Sequence, residues 1–90
     1  MDEAAERLEN SILFDCYGAL LSSRQRDYYD LYFNEDLSLS EIADLRGISR
    51  QGAWDTIRHA CEKLKEIEEK TGLVARITEL ENQLAELRGK

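Results

Sequence analysis

The chain contains no proline, and only five of its 90 residues are glycine. Because proline interrupts helices and glycine weakens them, their scarcity leaves long stretches free to be helical. Apolar residues make up 42% of the chain, a fraction typical of a globular protein rather than a disordered one. The length suffices for one small domain with a modest core. The composition therefore predicts a small all-α protein.

Groups that could bind a metal ion or carry catalysis are equally scarce. His59 is the single histidine, and Cys16 and Cys61 are the two cysteines. The cysteines lack the closely spaced partners of a metal site, and each lies in an apolar helical pattern, so we expect two buried free thiols. We expect His59 on a helix surface. Without a nucleophile and base arrangement or a glycine-rich phosphate loop, neither enzymatic activity nor a cofactor is expected.

Long apolar runs are also missing. No stretch approaches the roughly 20 apolar residues that a membrane span requires. The first residues are acidic and do not resemble a signal peptide. The expected location is the cytoplasm.

Basic residues are in the minority, with 12 Lys and Arg against 19 Asp and Glu, for a net charge of −7. The imbalance is uneven: residues 1–36 have a net charge of −6, residues 37–64 are neutral, and residues 65–90 have a net charge of −1. Affinity for phosphate backbones comes chiefly from Lys and Arg. The overall charge argues against general nucleic-acid binding, and the neutral middle segment gives only weak support for it.

The strongest motif covers residues 39–56. Ser38 and Glu41 form a capping box that begins a short helix. Gly47 stands where that helix must end in a left-handed conformation, and Ser49 is placed to cap the next helix. Two capped helices joined by a glycine turn predict a helix-turn-helix.

The second motif helix is expected to run to about Lys70, with an inward stripe formed by Ala53, Ile57, Ala60, Leu64 and Ile67. The outward face carries the candidate binding residues, which are Ser49, Arg50, Gln51, Trp54, Asp55 and Arg58. Arginine and glutamine can read base edges, and a capped helix N-terminus suits a phosphate. Trp54 and Asp55 fit a protein-binding surface better. Half-burial of Trp54 against a neighbouring helix is the alternative to an exposed contact.

Two helices are predicted before the motif. The first spans Asp2 to about Leu21, and its expected apolar stripe is Leu8, Ile12, Cys16, Ala19 and Leu20, widened by Leu13, Tyr17 and Leu21. The second begins at a Ser22–Gln25 capping box and continues through Phe33. Its aromatic residues are interpreted as core, with phenol oxygens reaching solvent. A stacking platform for RNA bases is the alternative, although the interleaved residues are mostly acidic.

The last segment follows a seven-residue repeat formed by Leu73, Ile77, Leu80, Leu84 and Leu87. Since Gly72 breaks the preceding pattern, we predict a helix-turn-helix domain at residues 1–72 and a separate coiled-coil-like helix at residues 73–90. A helix this short is not stable alone. Pairing into a homodimer through the five repeat residues is favoured, with packing back on its own domain or folding on a partner as alternatives.

Four sequence blocks occur in order along the chain: FDCYGALL at residues 14–21, LLSSRQRDY at 20–28, DLSLSEIA at 36–43 and ISRQ at 48–51. Together they resemble the YlxM family, also described as the signal-recognition-particle-associated helix-turn-helix family. The resemblance covers roughly residues 8–72. The SLSEIA and ISR blocks are also similar to region 4 of bacterial sigma factors, which implies a helix-turn-helix bundle of four to five helices with the short heptad helix appended.

The family resemblance implies a small bacterial protein that regulates the signal recognition particle without being an enzyme. The implied partners are the GTPase of the particle, its receptor or the particle's RNA. The residues themselves support a second hypothesis, a dimeric sequence-specific DNA-binding regulator. In that hypothesis Arg50, Gln51 and Arg58 read the DNA, and the heptad helix sets the half-site spacing.

Overall fold

The computed structural model describes residues 3–89, which form five α-helices and no β-strand. The helices are α1 (Glu3–Tyr17), α2 (Ser23–Tyr29), α3 (Leu39–Arg46), α4 (Arg50–Thr71) and α5 (Leu73–Arg88). A 3-10 turn at Gly18–Leu20 follows α1, and a π-helical turn at Asp30–Asn34 extends α2. The predicted all-α class is confirmed, although the first two α-helices end earlier than expected. Asp2, the expected start of α1, lies outside the described residues.

Two serine caps and a left-handed glycine shape the connection between α3 and α4. Ser38 Oγ accepts a hydrogen bond from the Glu41 N–H at 3.1 Å, and the Ser38 N–H donates to Glu41 Oε1 at 2.9 Å. Gly47 ends α3 with φ 67° and ψ 38°. Ser49 then caps α4 by accepting from the Gly52 N–H at 2.9 Å. The capping box, the glycine turn and the second cap are confirmed, and the two helices form a helix-turn-helix.

Helix α4 lies at the centre of the bundle and contacts α1, α2 and α3. Four of its five predicted inward residues are fully buried, namely Ala53, Ile57, Ala60 and Leu64, whereas Ile67 is partly buried. One apolar cluster joins the first half of α4 to Tyr28 of α2 and Ile42 of α3. A second cluster joins its later half to α1. The inward stripe therefore fixes which face of α4 points to solvent.

Only one side of the wide apolar face predicted for the first helix is buried, and it is the side of the widening residues rather than of the main stripe. The buried residues are Leu13 and Tyr17, followed by Leu21 beyond the helix. The predicted stripe is exposed at Leu8, Ile12, Cys16, Ala19 and Leu20. Because the apolar pattern here is several rows wide, only packing against α4 decides which rows turn inward. The prediction of a buried Cys16 was therefore wrong. Cys61 is half-buried, and both cysteines are free thiols.

Aromatic side chains from α2 and the π-helical turn form part of the core, as predicted. Tyr29 is fully buried and stacks on Phe14 with ring centroids 4.6 Å apart. Phe33 contacts the same ring at a centroid distance of 4.5 Å. Contrary to the prediction, the Tyr29 hydroxyl does not reach solvent. It donates a hydrogen bond to the Asn10 carbonyl at 2.6 Å. Burial raises the pKa of Tyr29 well above its ordinary value. This ring is therefore inaccessible to an RNA base.

A bidentate ion pair joins the end of α3 to α2. Arg46 Nε and Nη2 donate to the two carboxylate oxygens of Asp27 at 2.6 and 2.8 Å. The hydrogen bonds from Arg46 lower the pKa of Asp27. Both side chains retain substantial solvent exposure, so the pair contributes little to overall stability. Its planar fork geometry orients α3 on the bundle.

Glu68 attaches α5 to the rest of the protein. Its Oε1 and Oε2 accept hydrogen bonds from the Val74 and Ala75 N–H groups at 3.0 and 3.1 Å, so a side chain of α4 caps the first turn of α5. The Tyr17 hydroxyl donates to Glu68 Oε1 at 2.6 Å. Together with the two N–H groups, and with Tyr17 as the main cause, these bonds lower the pKa of Glu68. Three helices meet at one carboxylate.

Beyond this attachment α5 projects from the bundle. Gly72 separates it from α4 with φ 64°, which confirms the predicted break. Val74 packs on the core, but no residue of α5 is buried. The described part of the chain measures 54 × 24 × 23 Å, as expected for a small bundle with a protruding helix. The alternative in which α5 packs back on its own domain does not describe this structure.

We expect Glu68→Gln to loosen the start of α5, because the neutral amide cannot make the same charge-assisted bonds. The Val74 and Ala75 amide protons should exchange about tenfold faster, as hydrogen exchange resolved by NMR would measure. Because the folded-state pKa of Glu68 is lowered, its stabilisation is present above the ordinary value of 4.5 and is lost as the pH falls through the lower folded value. The wild-type protein should therefore lose the same protection on acidification.

Glu69→Gln is the matched control, since Glu69 is an exposed neighbour on the same helix. Equal exchange rates in the Glu68→Gln and Glu69→Gln variants would show that Glu68 does not attach α5.

Candidate functional site

The candidate site is the outward face of the first two turns of α4, which we name the α4 stripe. It consists of Ser49, Arg50, Gln51, Trp54, Asp55 and Arg58. The buried residues Ala53 and Ile57 alternate with these positions and hold the opposite face of the helix in the core. All six residues are exposed or partly exposed, and together they form one continuous surface. His59, beside the stripe, is exposed as predicted.

The amino-terminal end of the stripe is formed by Ser49 and Arg50. Ser49 Oγ is engaged by the Gly52 N–H, so it is not free to bind a ligand without releasing that cap. A Cβ at position 52 would lie 3.1 Å from this oxygen, which explains why a glycine suits the first turn. Arg50 is exposed and makes no hydrogen bond or ion pair with any residue that the structure describes. Its guanidinium is the free charge of the stripe.

The other polar residues of the stripe are paired along the helix. Gln51 Nε2 donates to Asp55 Oδ1 at 3.0 Å. Arg58 Nη2 lies 3.7 Å from the same carboxylate, and Arg58 Nη1 donates to Glu62 Oε1 at 2.9 Å. Such exposed pairs contribute little stability, but they neutralise the charge that Arg58 would offer to a phosphate. The stripe with Glu62 carries two arginines and two acids and is neutral.

Trp54 lies at the centre of the stripe with 39% of its surface exposed. The ring is thus neither fully buried nor fully free, and a large apolar area with one N–H donor faces solvent. Leu45, near the end of α3, is the other large exposed hydrophobic residue of the helix-turn-helix, at 56%. An exposed tryptophan between paired charges is typical of protein-binding surfaces.

A second exposed surface follows α5, and we name it the α5 seam. Its residues are those of the predicted heptad repeat, Leu73, Ile77, Leu80, Leu84 and Leu87, and each is between 44% and 69% exposed. The α5 seam and the α4 stripe occupy different helices. Neither surface is covered by another part of the described chain.

Sequence reasoning missed two residues that shape these surfaces. Glu62 lies four positions after Arg58, a spacing that predicts ion pairs on a helix, so the ion pair between them could have been predicted from the sequence. The capping of α5 by Glu68 could not be predicted from the sequence, because it depends on how the chain turns at Gly72. Within residues 3–89 no cluster of three or more His, Cys, Asp or Glu is placed to bind a metal ion. No helix in that range is both long and apolar enough to cross a membrane.

Comparisons with known proteins agree with this architecture. A family model described as "Putative helix-turn-helix protein, YlxM / p13 like" matches residues 4–90. A UPF0122 protein of Thermoanaerobacter sp. (strain X514) is 45% identical over 78 residues, which cover 87% of this chain and 67% of the relative. A UPF0122 protein of Shouchella clausii is 43% identical over 81 residues, covering 90% of this chain and 74% of the relative.

A further relative, a UPF0122 protein of Acetivibrio thermocellus, is 44% identical over 79 residues that cover 88% of this chain and 68% of the relative. The chain thus spans about two thirds of the length of several curated relatives. The family match includes the α4 stripe and α5, and the matches to the relatives extend over most of the sequence. The chain belongs to the family of YlxM/p13-like helix-turn-helix proteins.

Proposed function

We propose that this chain is a non-enzymatic regulatory protein that binds a protein partner through the α4 stripe. The observation that carries the proposal is the exposed Trp54 within a charge-balanced surface. A phosphate-binding face needs unpaired cations, and Arg58 is shared between Asp55 and Glu62. Burial of a tryptophan ring in a partner's pocket is the usual centre of a protein interface.

The identity of the partner follows from the family resemblance. It points to the signal recognition particle, and the chemistry of the α4 stripe favours the GTPase of the particle over its RNA. The net charge of −7 supports the same choice, because an acidic chain is repelled by an RNA backbone. The resemblance also implies a bacterial protein of the cytoplasm. Any nucleotide hydrolysis is then performed by the partner.

The proposal includes a homodimer. The α5 seam exposes five large apolar residues in a heptad pattern, which is the surface that a second helix of the same kind covers. Residues 73–90 thus serve pairing, and residues 1–72 carry the partner-binding helix-turn-helix.

Trp54→Ala should weaken binding to the purified GTPase about 30-fold, the loss of roughly 2 kcal/mol that marks an interface hot spot. Titration calorimetry with the GTPase, and separately with the particle's RNA, measures the effect. Trp54→Phe should recover part of the affinity, because it keeps an aromatic ring. Ile12→Ala is the control, since Ile12 is an apolar residue of similar exposure, 40%, outside the stripe.

Two results would contradict the proposal. Absence of binding to the GTPase by the wild-type chain would show that the GTPase is not the partner. Unchanged affinity in a folded Trp54→Ala variant would remove the α4 stripe as the binding surface. A melting curve for each variant shows that the fold is retained.

The alternative function is sequence-specific DNA binding, and Arg50 favours it. This arginine is unpaired among the described residues and lies beside the capped N-terminus of α4, where a phosphate or a guanine edge could be bound. A selection from random DNA duplexes at moderate salt should then return an enriched site. Arg50→Ala should weaken binding to that site about tenfold, since a good bidentate base contact is worth roughly 1–3 kcal/mol. If the selection enriches no sequence, the alternative is wrong.

A further inference from the structure

The α5 seam follows the a and d positions of a heptad repeat. In the heptad pattern Leu73, Leu80 and Leu87 occupy d positions, and Ile77 and Leu84 occupy a positions. Apart from Val74, which packs on its own bundle, the remaining surface of α5 is polar or small, and no residue of the helix is buried. The seam is therefore a narrow apolar row that one further helix would cover.

Three charged residues of the described chain, Arg76, Glu81 and Arg88, border this row at e and g positions, where the charges of paired helices lie next to each other. In a parallel pair Arg88 lies beside the neutral Gln83. Arg76 occupies a g position and Glu81 the following e position. In a parallel pair of helices, a g residue of one chain lies beside the next e residue of the other chain. Arg76 contacts Glu79 of its own helix at 3.1 Å, an exposed pair that is easily exchanged. Glu81 makes no ion pair or hydrogen bond with any residue that the structure describes.

We propose that two copies of this chain pair through α5 in parallel and in register, with Arg76 of each copy beside Glu81 of the other. The inference rests on the homodimer of the proposed function and adds its orientation. All five apolar layers then meet their counterparts, and two opposite-charge pairs flank them symmetrically.

Two antiparallel registers align most of the α5 seam with its copy, and both are less favourable than the parallel arrangement. In one register Leu87 has no counterpart, and Arg76 lies beside the neutral Gln83. In the other register the two Glu81 side chains face each other. Neither antiparallel arrangement keeps the two favourable charge pairs, and like charges brought together are destabilising.

The parallel arrangement also places both bundles at the same end of the paired helices. Glu68 and Val74 attach the first turn of each α5 to its own bundle, so the two bundles lie at the amino-terminal end. The α4 stripe lies on the other half of α4, away from Glu68, and pairing of α5 leaves it accessible.

A charge-swap series tests the orientation. Arg76→Glu places one glutamate beside each Glu81, and Glu81→Arg places one arginine beside each Arg76, so each single variant brings like charges together and should weaken the dimer about tenfold. The double variant Arg76→Glu with Glu81→Arg restores opposite charges and should bring the dissociation constant back to within about threefold of wild type. Sedimentation equilibrium at about 50 mM salt measures these constants, since higher salt screens exposed pairs.

The rescue cannot arise within one helix. Positions 76 and 81 are five residues apart and do not face each other on a helix, and the residues three and four positions from Glu81 are all uncharged. Glu86→Arg is the matched control for Glu81→Arg, because it makes the same change in net charge on the outer face of α5. It is expected to leave the dissociation constant of the dimer unchanged.

Rescue in the double variant supports the parallel register. Additive weakening without rescue overturns it, as does a wild-type chain that stays monomeric at high concentration. These outcomes are separate from the Trp54 titrations, because partner binding is measured on the α4 stripe. Loss of GTPase binding in a chain that still shows charge-swap rescue would refute the partner-binding part of the proposed function and leave the parallel dimer supported.

Discussion

The left-handed backbone at Gly47 is the constraint on which the functional surface depends. With φ 67° it ends α3 and lets Ser49 begin α4 two residues later in a new direction. An L-residue in this conformation is strained by roughly 1–2 kcal/mol. Once the turn is made, Ile42 of α3 and Ile57 of α4 share one buried cluster, and the remaining face of α4 must point to solvent. The exposure of Trp54 and Arg50 is thus a consequence of the turn and the core together.

The two proposed surfaces are carried by one rigid element. Helix α4 has 22 residues, which makes it about 33 Å long. Trp54 is in its first turns and Glu68 is near its end, so about 20 Å of helix separates partner binding from the attachment of α5. This spacing allows a dimer to form at one end of α4 while a partner binds at the other. The same separation lets each surface be altered without disturbing the other.

Much of the fold could be predicted because its signals are local. The capping boxes at Ser22 and Ser38, the turn at Gly47 and the break at Gly72 each depend on residues within a few positions of one another. The inward stripe of α4 was accessible for the same reason, since helical periodicity identifies a single narrow apolar face. The family resemblance, now shown over residues 4–90, pointed to the same helix-turn-helix.

What failed or was missed depends on distant contacts. Helix α1 has several apolar rows, and only its packing on α4 buries Leu13 while leaving Cys16 exposed. The Arg46–Asp27 pair joins residues 19 positions apart. The outward residues of α4 were identified correctly as exposed positions, but their pairing with Asp55 and Glu62 was not considered. That pairing changes the chemistry of the site, because it occupies the Arg58 guanidinium that would otherwise be available to a phosphate.

The proposed role of the α4 stripe is to recognise a protein rather than a phosphate backbone. The most direct measurement is the salt dependence of binding to the particle's GTPase and to its RNA between about 50 and 200 mM salt. A neutral surface should bind the GTPase with an affinity that changes less than about threefold over this range. Tight RNA binding that falls by about 10³-fold or more, as expected for roughly six or more phosphate contacts, would contradict that role.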